Sequence, residues 1–113
     1  MKLWLDDVRP APEGYIWCKS VRSAKDAIEA RELFDGITWT YDNGTKELLC
    51  PFELIDIDHD AGDYANDGGD YIKLLDWLEE TGRNYPIRIH SMNPVGRENM
   101  RAVILHNGWK EIY

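Results

Sequence analysis

The stretch Leu54-Ile55-Asp56-Ile57-Asp58-His59-Asp60 decides the fold. Its first four residues belong to a strand expected over Phe52 to Ile57, and the alternation puts Ile55 and Ile57 on one face with Asp56 on the other. Ile87-Arg88-Ile89-His90 repeats that pattern, and Lys2-Leu3-Trp4-Leu5 gives it again with Lys2 and Trp4 on the second face. A parallel strand covered by helices on both sides is apolar almost throughout. These strands are apolar on one side only, so one face of the sheet should lack helices.

Helical patterns lie between the strands. Ser23 and Asp26 have capping-box spacing, and Ala24, Ala27, Ile28, Leu33 and Phe34 form an apolar face, which predicts a helix over 24–34. A second is predicted over 69–81, with Ile72, Leu75 and Leu78 on one side and Gly82 as its stop; a third opens at Asn93-Pro94 and closes at Asn107-Gly108. Residues 15–19 and 109–113 are expected strands, and Asn43-Gly44 predicts a β-hairpin over 37–49. Strands alternating with helices argue for a single α/β domain over 1–113 with a mostly parallel sheet. Trp4, Trp17 and Trp39 would leave an aromatic patch on the bare face. Either the hairpin covers it or a second copy does, and the latter predicts a homodimer.

The 113 residues carry a formal net charge of −8, with 43% hydrophobic and 12% aromatic residues, a composition that excludes a disordered tail. No apolar run reaches the roughly 18 residues that span a bilayer, and the acidic pair Asp6-Asp7 cuts off any signal-peptide core, so no membrane association and a cytoplasmic location are expected. Cys18 and Cys50 match no zinc spacing and are too few for a disulfide framework, which predicts buried free thiols. The net charge argues against binding along extended nucleic acid, where many Lys and Arg must replace counterions. The charge is uneven, however: residues 83–113 hold five bases and two acids, a balance of +3, and residues 1–82 carry −11. The basic end can hold a small phosphorylated ligand or an RNA end.

Three polar clusters follow strand ends: Asp6-Asp7-x-Arg9, Asp58-His59-Asp60, and His90-Ser91-x-Asn93-Pro94-x-Gly96-Arg97. Parallel strands bring such ends to one edge, about 4.8 Å from neighbour to neighbour, where ligands of open α/β sheets bind. Taken singly, each has a plain reading as turn residues, a loop start or a helix cap; His106, near a helix end, has only the structural one. A helix opening at Pro94 points its amides and positive dipole end back toward His90 and Ser91, Gly96 removes bulk, and Arg97 adds a forked donor. That is a seat for phosphate. Carboxylates within about 4 Å of it would repel a phosphate by roughly 4 kcal/mol at an effective dielectric of about 20, so positive charge must intervene. Mg²⁺ on Asp6, Asp7 and Asp58 is one source; Arg9 and Arg97 with protonated His59 or His90 is the other. Other signals fail: His59-Asp60 follows a strand rather than lying in a helical bundle, Gly68-Gly69 lacks a following Lys-Ser/Thr, and Asp58 to Asp70 has Asp63 where a calcium loop needs glycine.

Leu5-Asp6-Asp7-x-Arg9-Pro10, Asp58-His59-Asp60, Gly69-x-Tyr71 and His90-Ser91-x-Asn93-Pro94-x-Gly96-Arg97-x-Asn99-Met100 resemble the cyclic-phosphate processing receiver-like domains, relatives of response-regulator receivers. The resemblance implies a flavodoxin-like sheet, with Asp6 and Asp7 on the receiver's metal-binding pair, Asp58 on the phosphoacceptor and Ser91 on the Ser/Thr after the fourth strand. Departures are also plain: no helix fits between Leu5 and Tyr15, none follows Tyr113, and no lysine follows the last strand. Both missing helices would cover one face. Without that lysine, and with His59 and His90 at the edge, the balance moves from phosphorelay to acid/base chemistry.

The leading expectation is a phosphoesterase acting on a cyclic phosphate, specifically a 2′,3′-cyclic nucleotide or RNA end. One of His59 and His90 would activate water and the other would protonate the leaving oxygen. Ser91, Asn93, Gly96, Arg97 and Arg9 would hold the phosphate, and Asp58, Asp60 and Asp6 would orient the histidines or carry Mg²⁺. The alternatives are a binding module without turnover, and a degenerate receiver acting through protein contacts.

Overall fold

In a computed structural model, residues 2–35 and 52–113 are described. The hairpin expected over 37–49, Trp39 and Cys50 lie outside them. The elements are β1 (Lys2–Leu5), β2 (Tyr15–Cys18), α1 (Val21–Asp35), β3 (Leu54–Ile57), a 3₁₀ turn (Gly62–Asn66), α2 (Ile72–Glu80), β4 (Ile87–Ile89), α3 (Pro94–Asn107) and β5 (Glu111–Ile112). The five strands form one all-parallel sheet in the order β2-β1-β3-β4-β5. That is the doubly wound order of flavodoxin-like domains.

Topology explains the single helical layer. From β2 onward every crossover steps in the same direction across the sheet, and right-handed crossovers in one direction place their helices on one face. Leu3, Leu5, Ile55, Ile57, Ile87 and Ile89 join Ile28, Leu74, Leu75, Leu78, Met100 and Ile104 in one buried cluster. Only the β1–β2 connection runs the other way, and it is the nine-residue loop 6–14, with no helix. That loop folds back over the open face. Trp4 Nε1 donates to the Arg9 carbonyl at 2.9 Å, and Tyr15 meets the Trp4 ring edge-on at 5.7 Å. Trp4 is therefore only 8% exposed, whereas Trp17 remains 37% exposed. Covering Trp4 takes away part of the patch on which the homodimer expectation rested.

Several boundaries differ from the sequence reading for local reasons. Helix α1 starts at Val21 because Ser20 is the cap: Ser20 Oγ accepts the Ser23 N–H at 3.1 Å while Ser23 Oγ accepts the Ser20 N–H at 3.2 Å. Helix α2 starts at Ile72 because Gly68 and Gly69 sit at φ 115° and 89°, outside helical space. Helix α3 follows its sequence signals, with the Asn93 carboxamide accepting the Gly96 N–H at 3.1 Å and Gly108 in the left-handed region at φ 68°. Cys18 is buried, which pushes its thiol up to about 11. Among the described residues no helix is long and apolar enough to cross a membrane.

Ser20 Oγ also donates to Asp67 at 2.7 Å, tying α1 to the loop before α2. Ser20→Ala is expected to lower stability by about 1 to 2 kcal/mol, read as a lower urea midpoint at unchanged slope.

Candidate functional site

The ladder continues one residue past the strands. Asp58 N–H donates to the Leu5 carbonyl at 2.9 Å and His90 N–H to the Ile57 carbonyl at 3.0 Å. This fixes Asp6, Asp58 and His90 side by side at the carboxyl ends of β1, β3 and β4, with ligand atoms of all three within 4.8 Å of one another.

His90 is held on every side. Its Nδ1 lies 2.6 Å from Asp56 Oδ1 and its Nε2 3.0 Å from Asp6 Oδ2, and the ring stacks on Trp4 at 4.0 Å and 6°. The side chain is 7% exposed, and those of Asp6 and Asp56 are 1% and 0% exposed. Both ring nitrogens of His90 thus face carboxylate oxygens, and the imidazole supplies a polar partner that these buried groups require. Arg88 Nη1 donates to the other Asp56 oxygen at 3.0 Å. Burial by itself would raise the Asp6 carboxyl, but N–H donation from Arg9 and Val8, together with the hydrogen bond and charge of His90, outweighs it and holds Asp6 below its ordinary 3.8.

The neighbouring carboxylates are not neutralised in this way. Burial and the charges of Asp6, Asp58 and Asp60 push Asp7 above its ordinary value. Its Oδ2 rests against Gly62, where a Cβ would stand 2.3 Å away. Asp58 Oδ1 accepts the His59 N–H at 2.8 Å.

His59 turns the other way, toward the helical layer. A Cβ on Gly96 would lie 2.4 Å from the imidazole, so glycine there lets the ring close on the first turn of α3. Asp60 Oδ1 holds Nδ1 at 2.8 Å, and Nε2 has no partner among the described residues. Of the two imidazoles, then, only His59 meets α3, while His90 faces the open side of the sheet. In that first turn Pro94 has no N–H and Asn93 takes the Gly96 N–H, leaving Val95 as the amide donor. Ser91 is buried, and its Oγ accepts the Asn93 N–H at 3.1 Å. Arg97 is exposed. Arg9 Nη1 donates to the His90 carbonyl at 3.2 Å, closing loop 6–14 onto β4.

The donor set bears on the expected Mg²⁺. Asp7 stands outside the group of Asp6, Asp58 and His90, and an imidazole nitrogen suits zinc or manganese better than magnesium. Any cation there would displace the proton between Asp6 and His90. The sequence reading left out Asp56, Trp4 and Arg88 as site residues. Each precedes a chosen residue by two positions, at Asp56/Asp58, Trp4/Asp6 and Arg88/His90, and so lies on the same strand face.

A comparison with protein families matches residues 1–106 to the cyclic-phosphate processing receiver domain. No curated protein and no solved structure matches the chain.

Because Asp7 titrates higher folded than its ordinary 3.8, its ionised form costs stability at neutral pH. Asp7→Asn is expected to raise the urea midpoint at pH 7. The gain should fade as pH falls through the folded-state value and vanish below 3.8, where both states are protonated. A variant less stable than the parent at pH 7 would contradict this. Asp6 has the opposite sign: its contribution is present above 3.8 and lost as pH falls through its lower folded value.

Proposed function

The chain belongs to the cyclic-phosphate processing receiver domain family, and on that premise we propose that it is a phosphoesterase opening 2′,3′-cyclic phosphate ends by histidine acid/base chemistry. One observation carries the reading: both edge imidazoles are oriented through Nδ1 by a carboxylate, His59 by Asp60 and His90 by Asp56. A carboxylate at Nδ1 fixes the tautomer and presents Nε2 for proton transfer, the arrangement a general base or acid needs. His59 Nε2 takes a proton from water as the oxygen attacks phosphorus. The bond from phosphorus to one ribose oxygen breaks, and His90 Nε2 gives its proton to that oxygen, exchanging its contact with Asp6 for one with the substrate. The product is a phosphomonoester. Arg97 and the Val95 amide stabilise the charge on the phosphoryl oxygens, and Arg9 keeps the loop closed over the edge.

The proximity of Asp6, Asp58 and His90 favours a second reading, in which a divalent cation takes the place of the shared proton. It would polarise a phosphoryl oxygen when bound. Full activity after exhaustive EDTA treatment excludes this version.

His59→Ala and His90→Ala are each expected to lower kcat/KM on uridine 2′,3′-cyclic phosphate by roughly 10² to 10⁴-fold, and Asp60→Asn by less than His59→Ala. Phosphomonoester release followed by chromatography measures this. Unchanged rates in both histidine variants would overturn the assignment, and tight binding of the cyclic nucleotide without product would leave a binding module.

A further inference from the structure

Beyond the catalytic edge, a cleft of about 320 Å³ runs between the end of β4, α3 and β5. It begins at His90 and Ser91 and carries Arg88, Arg97 and Arg101, with Glu111 as its carboxylate. Three guanidinium groups on one cleft are unexpected in a chain of net charge −8. Arg88 and Arg101 each pair with a carboxylate yet stay partly exposed. Arg88 holds Asp56 through Nη1 alone and stays 43% exposed. Arg101 grips Glu111 through Nε and Nη2 at 2.8 to 3.1 Å and is 34% exposed. Arg97 has no carboxylate partner among the described residues. The exposed Tyr113 ring stands beside the Arg101 guanidinium at 5.9 Å, adding a flat surface next to the charge.

The polarity across the edge is therefore uneven. Asp7, Asp58 and Asp60 make the β1–β3 side negative, and the arginines make the β4–β5 side positive. An anion extending from the catalytic histidines lies with lowest energy along the arginines. A cyclic mononucleotide has one phosphate, which the catalytic edge already occupies, and leaves the cleft without a ligand. An RNA end has a further phosphodiester, which forked guanidinium donors suit, and a further base, which an aromatic ring can stack.

We propose that this cleft is a second subsite, which takes the phosphodiester and nucleoside preceding the cyclic phosphate, so that the preferred substrate is an RNA end of at least two nucleotides. The proposal rests on the reading of the edge as a cyclic-phosphate site, but its test separates the two. Calorimetry on the full chain compares uridine 3′-phosphate with uridylyl-uridine 3′-phosphate, and kcat/KM compares the two corresponding 2′,3′-cyclic substrates. The dinucleotide is expected to win by about tenfold or more in both, the worth of one charge-assisted contact. The double variant Arg101→Gln/Glu111→Gln, which leaves no carboxylate unpaired, should erase that preference with mononucleotide values unchanged. Arg101→Lys, which keeps charge without the fork, should retain part of it and serves if the double variant melts early. Equal affinity for the two probes in the parent, or equal weakening of both in a folded variant, overturns the subsite. A dinucleotide preference in binding with no turnover of either cyclic substrate supports the subsite and removes the catalytic reading. Turnover without preference does the reverse.

Discussion

The double contact of His90 with Asp6 and Asp56 is the interaction on which the rest of the edge depends. Two carboxylates that are almost fully buried cannot stay ionised without a partner, because the desolvation cost exceeds what distant charges return. His90 satisfies both at once, and its main chain is already fixed by the ladder bond to Ile57. Trp4 then stacks on the ring, and its indole N–H secures the loop that would otherwise leave the open face bare. Removing the imidazole would leave Asp56 with Arg88 and Asp6 with the Val8 and Arg9 N–H groups, and would take away the ring on which Trp4 stacks, so the clamp is structural as well as chemical.

The clamp exists because the sheet is wound in one direction. Crossovers from β2 onward put α1, α2 and α3 on one side, so the polar positions of β1, β3 and β4 line the other. Asp56 and Arg88 can be strand residues in the middle of a parallel sheet because none of the described helices packs on them. The same alternation separates the two histidines: residues adjacent in the chain, Asp58 and His59, leave the edge in opposite directions, one toward His90 and the other toward Gly96. A substrate that used both imidazoles would have to reach across the ends of β3 and β4.

Much of this was legible in the sequence, and the gaps have physical causes. Alternation at residues 54–57 and 87–90 revealed the bare face, and Asn93, Pro94 and Gly108 marked α3, because those signals are local. Ser20 and Ser23 are both plausible caps by residue type, and only the reciprocal hydrogen bonds choose between them. The 3₁₀ turn Gly62–Asn66 has no hydrophobic period to announce it. The clamp was harder, since the partners of His90 lie 34 and 84 residues away and meet it only after strand order is known. Glycine at Gly96 reads as a helix-start residue; that it makes room for His59 depends on a contact between the segment after β3 and the first turn of α3.

The arrangement of charge also separates the proposed acid/base route from phosphoryl transfer to Asp58. A phosphorylated Asp58 would place its added negative charge among Asp6, Asp7 and Asp60, and the His90 ring is already committed to two carboxylates. A cyclic phosphodiester, by contrast, carries a single charge and never has to bond to a carboxylate. It needs one proton removed from water and one delivered to the departing oxygen, and each imidazole nitrogen for that exchange is already oriented by a carboxylate at its Nδ1. Asp60, one of the groups that would repel a phosphoaspartate, is thus also the group that aims His59 in the proposed histidine route.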